Sequence, residues 1–160
     1  MNQIKVVVIK NNSGPSELEK ILTRKNFQVE TLLSQSGNIR QITDHIKPDV
    51  ILISSAMVTD TITKFIMDIN EIYARPIILF SDDPDTHSVK KVIKAGVSAY
   101  IVSGIESKRI KTIIDIAIVR FTEQQHLKNE LEKTKSKLED RKTIDRAKGI
   151  LIKTRNYSED

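Results

Sequence analysis

The C-terminal part of the chain concentrates basic side chains that could bind phosphate groups. Between residues 141 and 155, six basic residues stand against the single acid Asp145, a local excess of five charges. The whole chain of 160 residues has a formal net charge of +5, so the rest of it is close to neutral. Charge concentrated in one element favours a polyanionic partner at that element. The six basic residues are Arg141, Lys142, Arg146, Lys148, Lys153 and Arg155.

Helical spacing sorts this segment into two faces. At 100° per residue, one face is apolar and consists of Ile144, Ala147 and Leu151. The opposite face carries a basic stripe of Lys142, Arg146 and Lys153, with Gly149 near it. Lys148 lies nearer the apolar face. The pattern predicts a helix that packs on one side and meets phosphates on the other; a solvated helix surface is the alternative.

Residues 141–152, RKTIDRAKGILI, resemble the opening of the ANTAR domain, the RNA-binding output module of AmiR/NasT-type antitermination regulators. The Ala-Lys-Gly core at residues 147–149, followed by aliphatic residues, is the most specific part of this match. In that family the domain continues through further helices, so we expect residues 139–160 to be its incomplete N-terminal part. The resemblance implies RNA-binding roles for Arg141, Lys142, Arg146, Lys148, Gly149 and Lys153.

Composition excludes several kinds of chemistry. The chain has no Cys, which excludes disulfides, thiolate metal sites and cysteine catalysis. Its three histidines, His45, His87 and His126, are not at metal-ligand spacing. We therefore expect no catalytic residue, no metal and no cofactor. No apolar run approaches the length of a membrane span, and we predict a cytoplasmic protein.

Strand and helix patterns alternate through the first 104 residues. Apolar strand runs lie at 4–9, 27–33, 49–53, 76–80 and 99–102, and helical patterns at 15–25, 36–47, 60–73 and 85–95. The run 49–53 is apolar on both faces, which is typical of a buried parallel strand. This order predicts an α/β fold with a doubly wound, five-stranded parallel sheet of the flavodoxin-like type.

Three phrases of this region resemble a response-regulator receiver domain. They are PDVILI at residues 48–53, RPIILFS at 75–81 and AGVSAYIV at 95–102, and the resemblance covers roughly residues 3 to 120. We accordingly expect a receiver-like domain at 1–120, a coiled-coil linker helix at 121–138 and the ANTAR-like segment at 139–160.

The positions that carry receiver chemistry differ from the family pattern. A working receiver needs an acidic pair after the first strand for Mg²⁺, an Asp nucleophile ending the third and a Lys ending the fifth. The degenerate receiver site here consists of Asn11, Asn12, Ser54, Ser81 and Ser103, and only the Ser81 hydroxyl is retained. These residues predict a pseudo-receiver that is not phosphorylated. Asp82 and Asp83 are a possible replacement metal site, but capping of the next helix is the favoured interpretation. A phosphate cradle at 12–16 is a minor alternative.

A long helix is predicted from residue 107 to about residue 154, because this stretch has no Pro and only one Gly. Within it a seam of 3–4 spacing predicts a parallel coiled coil in a homodimer. A lone solvated helix, or one folded back on the receiver, is the alternative. The dimer seam consists of Gln124, Leu127, Leu131, Thr134 and Leu138.

These features together predict an RNA-binding transcription antitermination regulator that is not an enzyme. The resemblance implies leader RNA, in hairpin or loop form, as one partner. It implies a ligand-sensing regulatory protein as another, often concerned with nitrogen sources. One alternative is a protein-interaction adaptor that uses the receiver and coiled coil without binding RNA. A small-molecule-binding flavodoxin-like domain is a further one.

Overall fold

Five parallel strands form the central sheet of a computed structural model that describes residues 2–11, 16–34, 39–102, 104 and 106–158, with side chains to residue 150. The strands are β1 (Lys5–Lys10), β2 (Gln28–Leu33), β3 (Val50–Ser55), β4 (Ile77–Ser81) and β5 (Ala99–Val102). Their order in the sheet is β2-β1-β3-β4-β5, and every neighbouring pair is parallel. The chain divides into two compact units, Met1–Phe121 and Thr122–Asp160.

Helices cover both faces of this sheet because successive side chains of its strands point to opposite sides. Val6 and Val8 pack in the cluster that contains α1 (Glu17–Arg24) and the first turns of α4 (Ile110–Ser158). Val7 and Ile9 pack in the opposite cluster. That cluster includes α2 (Asp60–Ile72), α3 (Thr86–Ala95) and the short helical segment Gln41–Ile46. The predicted doubly wound α/β fold is confirmed.

Side-chain caps set where the three shorter α-helices begin. Ser16 and Glu19 form a reciprocal capping box at α1, and the Thr59 hydroxyl accepts from the Ile62 amide at α2. At α3 the capping residue is Asp85, whose carboxylate accepts from the Ser88 amide at 3.1 Å. The prediction that Asp82 and Asp83 cap this helix is wrong, because the chain passes through Pro84 before the helix begins.

The helix expected at 36–47 differs in type over its described part. Gln41–Ile46 is a π-helix, and the Lys47 amide donates to the Ile42 carbonyl across five residues at 2.8 Å. Lys47 adopts a left-handed conformation with φ of 49°. Pro48 follows it and disfavours the α conformation at Lys47, so the helix ends there.

The second unit consists of helix α4 from residue 122 onward. The described side chains from residue 126 to residue 150 are all exposed. An unbroken helix is the element that the scarcity of Pro and Gly predicted. In the part of the chain that is described, no helix has the length and apolar character needed to cross a membrane.

Candidate functional site

The carboxyl ends of β1, β3 and β4 meet at one edge of the sheet. Lys10 pairs in register with Ser54, and Ser55 pairs with Ser81, so two predicted site residues, Ser54 and Ser81, lie on neighbouring strands. Asn11 directly follows β1 and is exposed. The predicted site residues Asn12 and Ser103 lie outside the described residues. The edge therefore brings Ser54 and Ser81 together next to the end of β1.

A cleft of about 360 Å³ opens at this edge. Its walls include Ser54, Ser55 and Ser81, with the carboxylates Glu17 and Asp82 also lining it. Two of the hydroxyls are engaged by nearby backbone. Ser55 Oγ donates to the Met57 carbonyl at 2.9 Å, and Ser81 Oγ donates to the Ala56 carbonyl at 3.1 Å. Ser81 Oγ also accepts from the Asp83 amide, so this hydroxyl ties the loops after β3 and β4 together.

A partly buried ion pair joins the end of β1 to α1. Lys10 is 7% exposed, and its Nζ lies 2.8 Å from Glu19 Oε1. The Thr31 hydroxyl on β2 donates to the same carboxylate oxygen, and the Ser16 amide donates to the other. Burial opposes ionisation of Glu19. The hydrogen bonds from Lys10, Ser16 and Thr31, together with the charge of Lys10, outweigh the effect of burial. They hold the pKa of Glu19 below its ordinary value.

The pair of Lys10 and Glu19 is not among the residues that the sequence predicted for this edge. The available signal was a Lys directly after the apolar residues 6–9, followed by an acid at the third position of the next helix. Pairing across nine residues of chain depends on how α1 packs over β1, which spacing alone does not specify.

The residues at this edge do not fit a Mg²⁺ ion of the receiver type. Mg²⁺ prefers oxygen ligands and carboxylate charge, whereas the last residue of β1 supplies an ammonium group. Ser54 is the residue of β3 that pairs with Lys10, and its hydroxyl is neutral. Within the described ranges, no group of three His, Cys, Asp or Glu side chains could hold a metal ion.

The adjacent acids Asp82 and Asp83 have separate surroundings. Asp82 is exposed and lines the cleft, while Asp83 is buried. Asp83 Oδ1 accepts from the Asp85 amide at 3.0 Å, and the Tyr100 hydroxyl donates to the Asp83 carbonyl. The hydrogen bond from the Asp85 backbone, followed by that from Ser88, lowers the pKa of Asp83 against the effect of burial. Asp83 thus orients the turn that leads into α3.

The predicted RNA-binding residues lie along α4. Arg141, Lys142, Arg146, Lys148 and Gly149 are all exposed, and the Lys153 side chain lies outside the described part. Among the described atoms outside the backbone of its own helix and its chain neighbours, none lies within 4 Å of the position a Cβ of Gly149 would take. Within the described part of this unit the basic side chains therefore face solvent.

The predicted dimer seam lies on the same helix. Leu127, Leu131 and Leu138 are 67%, 55% and 54% exposed. Gln124 and Thr134 are exposed as well, and the Thr134 hydroxyl donates to the Glu130 carbonyl at 2.9 Å. Three leucines at this spacing leave an apolar stripe that the described part of the unit does not cover.

The strand order and the helices on both faces are those of response-regulator receiver domains. A response regulator from Thermotoga maritima superposes with a TM-score of 0.61 at 16% identity, covering 74% of this chain and 99% of that one. An orphan response regulator of Helicobacter pylori superposes with a TM-score of 0.58 at 20% identity, covering 72% and 96%. These likenesses define the class of fold of the first unit.

The C-terminal segment matches a protein family as well. Residues 132–160 match the ANTAR domain, beginning ahead of the start expected at residue 139. The transcriptional regulatory protein PdtaR of Mycobacterium tuberculosis is 23% identical over 135 residues, which are 84% of this chain and 66% of PdtaR. The chain spans slightly less than two thirds of that relative's length. Receiver fold and ANTAR match together give the chain the organisation of a receiver-plus-ANTAR response regulator, as the sequence predicted.

Proposed function

We propose that this protein is an RNA-binding transcription antitermination regulator whose receiver domain works without phosphorylation. The observation that carries the proposal is the coincidence of two features in one helix. The ANTAR match at residues 132–160 contains the basic cluster that accounts for the net charge of the chain. Its described basic side chains are exposed.

Phosphate binding follows from the chemistry of these side chains. Lys and Arg bind phosphate oxygens through charge-assisted hydrogen bonds, and each contact releases counterions from the nucleic acid. Lys142 and Arg146 are four residues apart and so lie on one side of the helix. A hairpin or loop suits such a surface, because unstacked bases expose edges that an A-form duplex hides.

Control by a protein partner suits the first unit better than control by a phosphoryl group. Ser54 has no carboxylate to accept the phosphoryl group, and the ammonium of Lys10 occupies the end of β1. In this proposal a ligand-sensing protein binds the receiver-like unit and withholds the regulator from RNA until its ligand appears. A homodimer through the seam Gln124–Leu138 completes the assembly.

Alanine substitution of Lys142 and Arg146 tests the RNA contact. In the full-length protein we expect weaker binding to a hairpin leader RNA. The slope of log affinity against log salt should flatten by roughly 0.7 to 0.9 per lost phosphate contact. The melting temperature should barely change, because both side chains are exposed.

The matched control replaces Lys133 and Lys137 by alanine. These two exposed lysines lie on the other side of the same helix, so the same charge is removed away from the basic stripe. The control should leave the slope closer to that of the wild type. Equal slopes for wild type and the Lys142→Ala, Arg146→Ala variant would instead favour the adaptor, which binds only protein.

A further inference from the structure

The charges beside the dimer seam specify how two copies pair. The seam follows a heptad repeat, whose seven positions are lettered a to g. Gln124, Leu131 and Leu138 occupy position a, and Leu127 and Thr134 occupy position d. We infer that a second copy of this chain pairs with the seam in parallel and in register, and that the coiled coil ends at Leu138. The inference rests on the homodimer of the proposed function and adds its register, its flanking charge pairs and its end, and it gives the charge basis for the parallel orientation.

Positions e and g flank such a seam and face the partner helix. The g positions are acidic, Glu123 and Glu130, and the e positions are basic, Lys128 and Lys135. All four side chains are exposed. In a parallel dimer each g residue meets the e residue five positions further along the partner. Glu123 would therefore face the partner's Lys128, Glu130 would face the partner's Lys135, and symmetry repeats both pairs.

The opposite orientation has no such complementarity. In an antiparallel pair, g residues face g residues and e residues face e residues, which here sets acid against acid and lysine against lysine. Like charges at these positions oppose association. The charge pattern therefore favours the parallel dimer and disfavours its alternative.

Neither the apolar seam nor the opposite charges beside it continue beyond Leu138. The next g and e positions are Lys137 and Lys142, so the following interhelical pair would be repulsive. The next d, a and d positions are Arg141, Asp145 and Lys148, which replace apolar residues by charges. Burying these charges in a seam is unfavourable. The two helices therefore part beyond Leu138.

The lysines at the e positions thus contact two different partners. Lys128 and Lys135 hold the partner helix, whereas Lys142 lies beyond the end of the seam, in the basic stripe that meets RNA. Within one helix, Lys133 Nζ lies 3.7 Å from Glu130 Oε1. This pair is exposed, and exposed pairs of this kind contribute little, so it does not prevent Glu130 from facing the partner.

Single cysteine substitutions test the orientation of the two helices and the point where the coiled coil ends, because the chain has no Cys of its own. The variants Gln124→Cys, Leu138→Cys and Asp145→Cys are oxidised mildly in the full-length protein. We expect the first two each to form a disulfide-linked dimer, since equivalent a positions face each other in a parallel, in-register pair. Asp145→Cys should cross-link at least tenfold more slowly, because the helices have separated there. In an antiparallel pair a positions face d positions, so cross-linking only in a mixture of Leu127→Cys with Leu138→Cys would mean an antiparallel pair and overturn the inference.

Charge reversal tests the flanking pairs independently. Glu123→Lys with Glu130→Lys should weaken dimerisation at least about tenfold in 0.1 M salt, measured by sedimentation equilibrium. Adding Lys128→Glu and Lys135→Glu should restore the affinity, because g and e are again opposite in charge. The control Glu132→Lys with Glu139→Lys makes the same change in net charge at outward b positions and should have a smaller effect. No rescue by the fourfold variant would overturn the pairing.

Failure of this inference can be told apart from failure of the proposed function. A wild type that is monomeric at high micromolar concentration would remove the homodimer itself and with it this inference. A dimer with a different cross-linking pattern would overturn orientation and register alone. RNA binding is measured separately and depends on Lys142 and Arg146.

Discussion

The ion pair of Lys10 and Glu19 places an ammonium group at the carboxyl-terminal edge of the sheet. A buried ion pair does not by itself stabilise a fold strongly, because both charges lose hydration. Here the carboxylate also accepts from Ser16 and Thr31, which satisfies it on several sides. Removing the charge of Glu19 is costly, since the Lys10 ammonium stays buried and loses this ion pair.

Glu19→Gln should destabilise the protein at pH 7 by roughly 1–3 kcal/mol. Gln keeps the acceptor of the capping box, so the change isolates the charge. The folded pKa of Glu19 is depressed, so its contribution is present above the unfolded pKa and is lost as pH falls through the folded pKa. Urea unfolding from pH 7 to acid should therefore show a shallower decline in the variant. Glu17→Gln, at an exposed position of the same helix, is the control.

Acetyl phosphate with Mg²⁺ should leave the protein unmodified. The reason is the hydroxyl of Ser54 in place of a carboxylate and the ammonium of Lys10 at the neighbouring strand end. Intact mass spectrometry after incubation is the measurement. A stable gain of one phosphoryl group that Ser54→Ala abolishes would contradict the pseudo-receiver interpretation.

Helix α3 ends at a glycine with little space around it. Gly96 closes the helix at φ of +113°, a conformation that side chains rarely adopt. The Asn70 amide on α2 donates to the Ala95 carbonyl at 3.0 Å, and a Cβ on Gly96 would lie 1.9 Å from that amide nitrogen. This helix end therefore depends on a glycine that lets α2 approach.

Gly96→Ala should lower the free energy of unfolding by roughly 1–3 kcal/mol, through backbone strain and displacement of Asn70. Gly104→Ala is the matched control, because Gly104 also has a positive φ, of +91°, but no described atom beyond its chain neighbours lies within 4 Å of its Cβ position. Thermal unfolding of both variants separates strain from crowding. Equal losses would mean that the contact with Asn70 contributes nothing.

Across the whole molecule, the sheet and the long helix were predictable because their signals are local. β-branched runs specify strands, and the scarcity of Pro and Gly specifies α4. The pair Lys10 and Glu19 was not predictable, since it forms only when α1 packs on β1. The cap at Asp85 was misplaced because three acids flank Pro84 and each is a good capping residue. Domain limits and the roles of the site residues stay predictions.

Replacing Leu131 and Leu138 by Asp should convert the protein to monomer, because unpaired charges would enter the seam. If both basic clusters of a dimer contact one RNA, the monomer should also bind that RNA more weakly. Sedimentation and RNA titration on the same preparation measure the two effects. The exposed pair Met67→Asp and Ile72→Asp on α2 adds the same charges away from the seam and should leave the dimer intact. A variant that remains dimeric would contradict the coiled coil.

The Lys10 and Glu19 pair also bears on how many substitutions would give this edge the chemistry of a phosphorylated receiver. Ser54→Asp alone would place a carboxylate beside a buried ammonium but would provide no cation site. Lys10→Asp alone would set a new carboxylate against Glu19, whose neighbours favour its ionised form, and would leave Asn11 and Asn12, where the acidic pair was expected, without a charge. No single substitution of Lys10 or Ser54 would therefore supply both a nucleophile and a cation site. Receiver phosphorylation chemistry at this edge would require several coordinated substitutions.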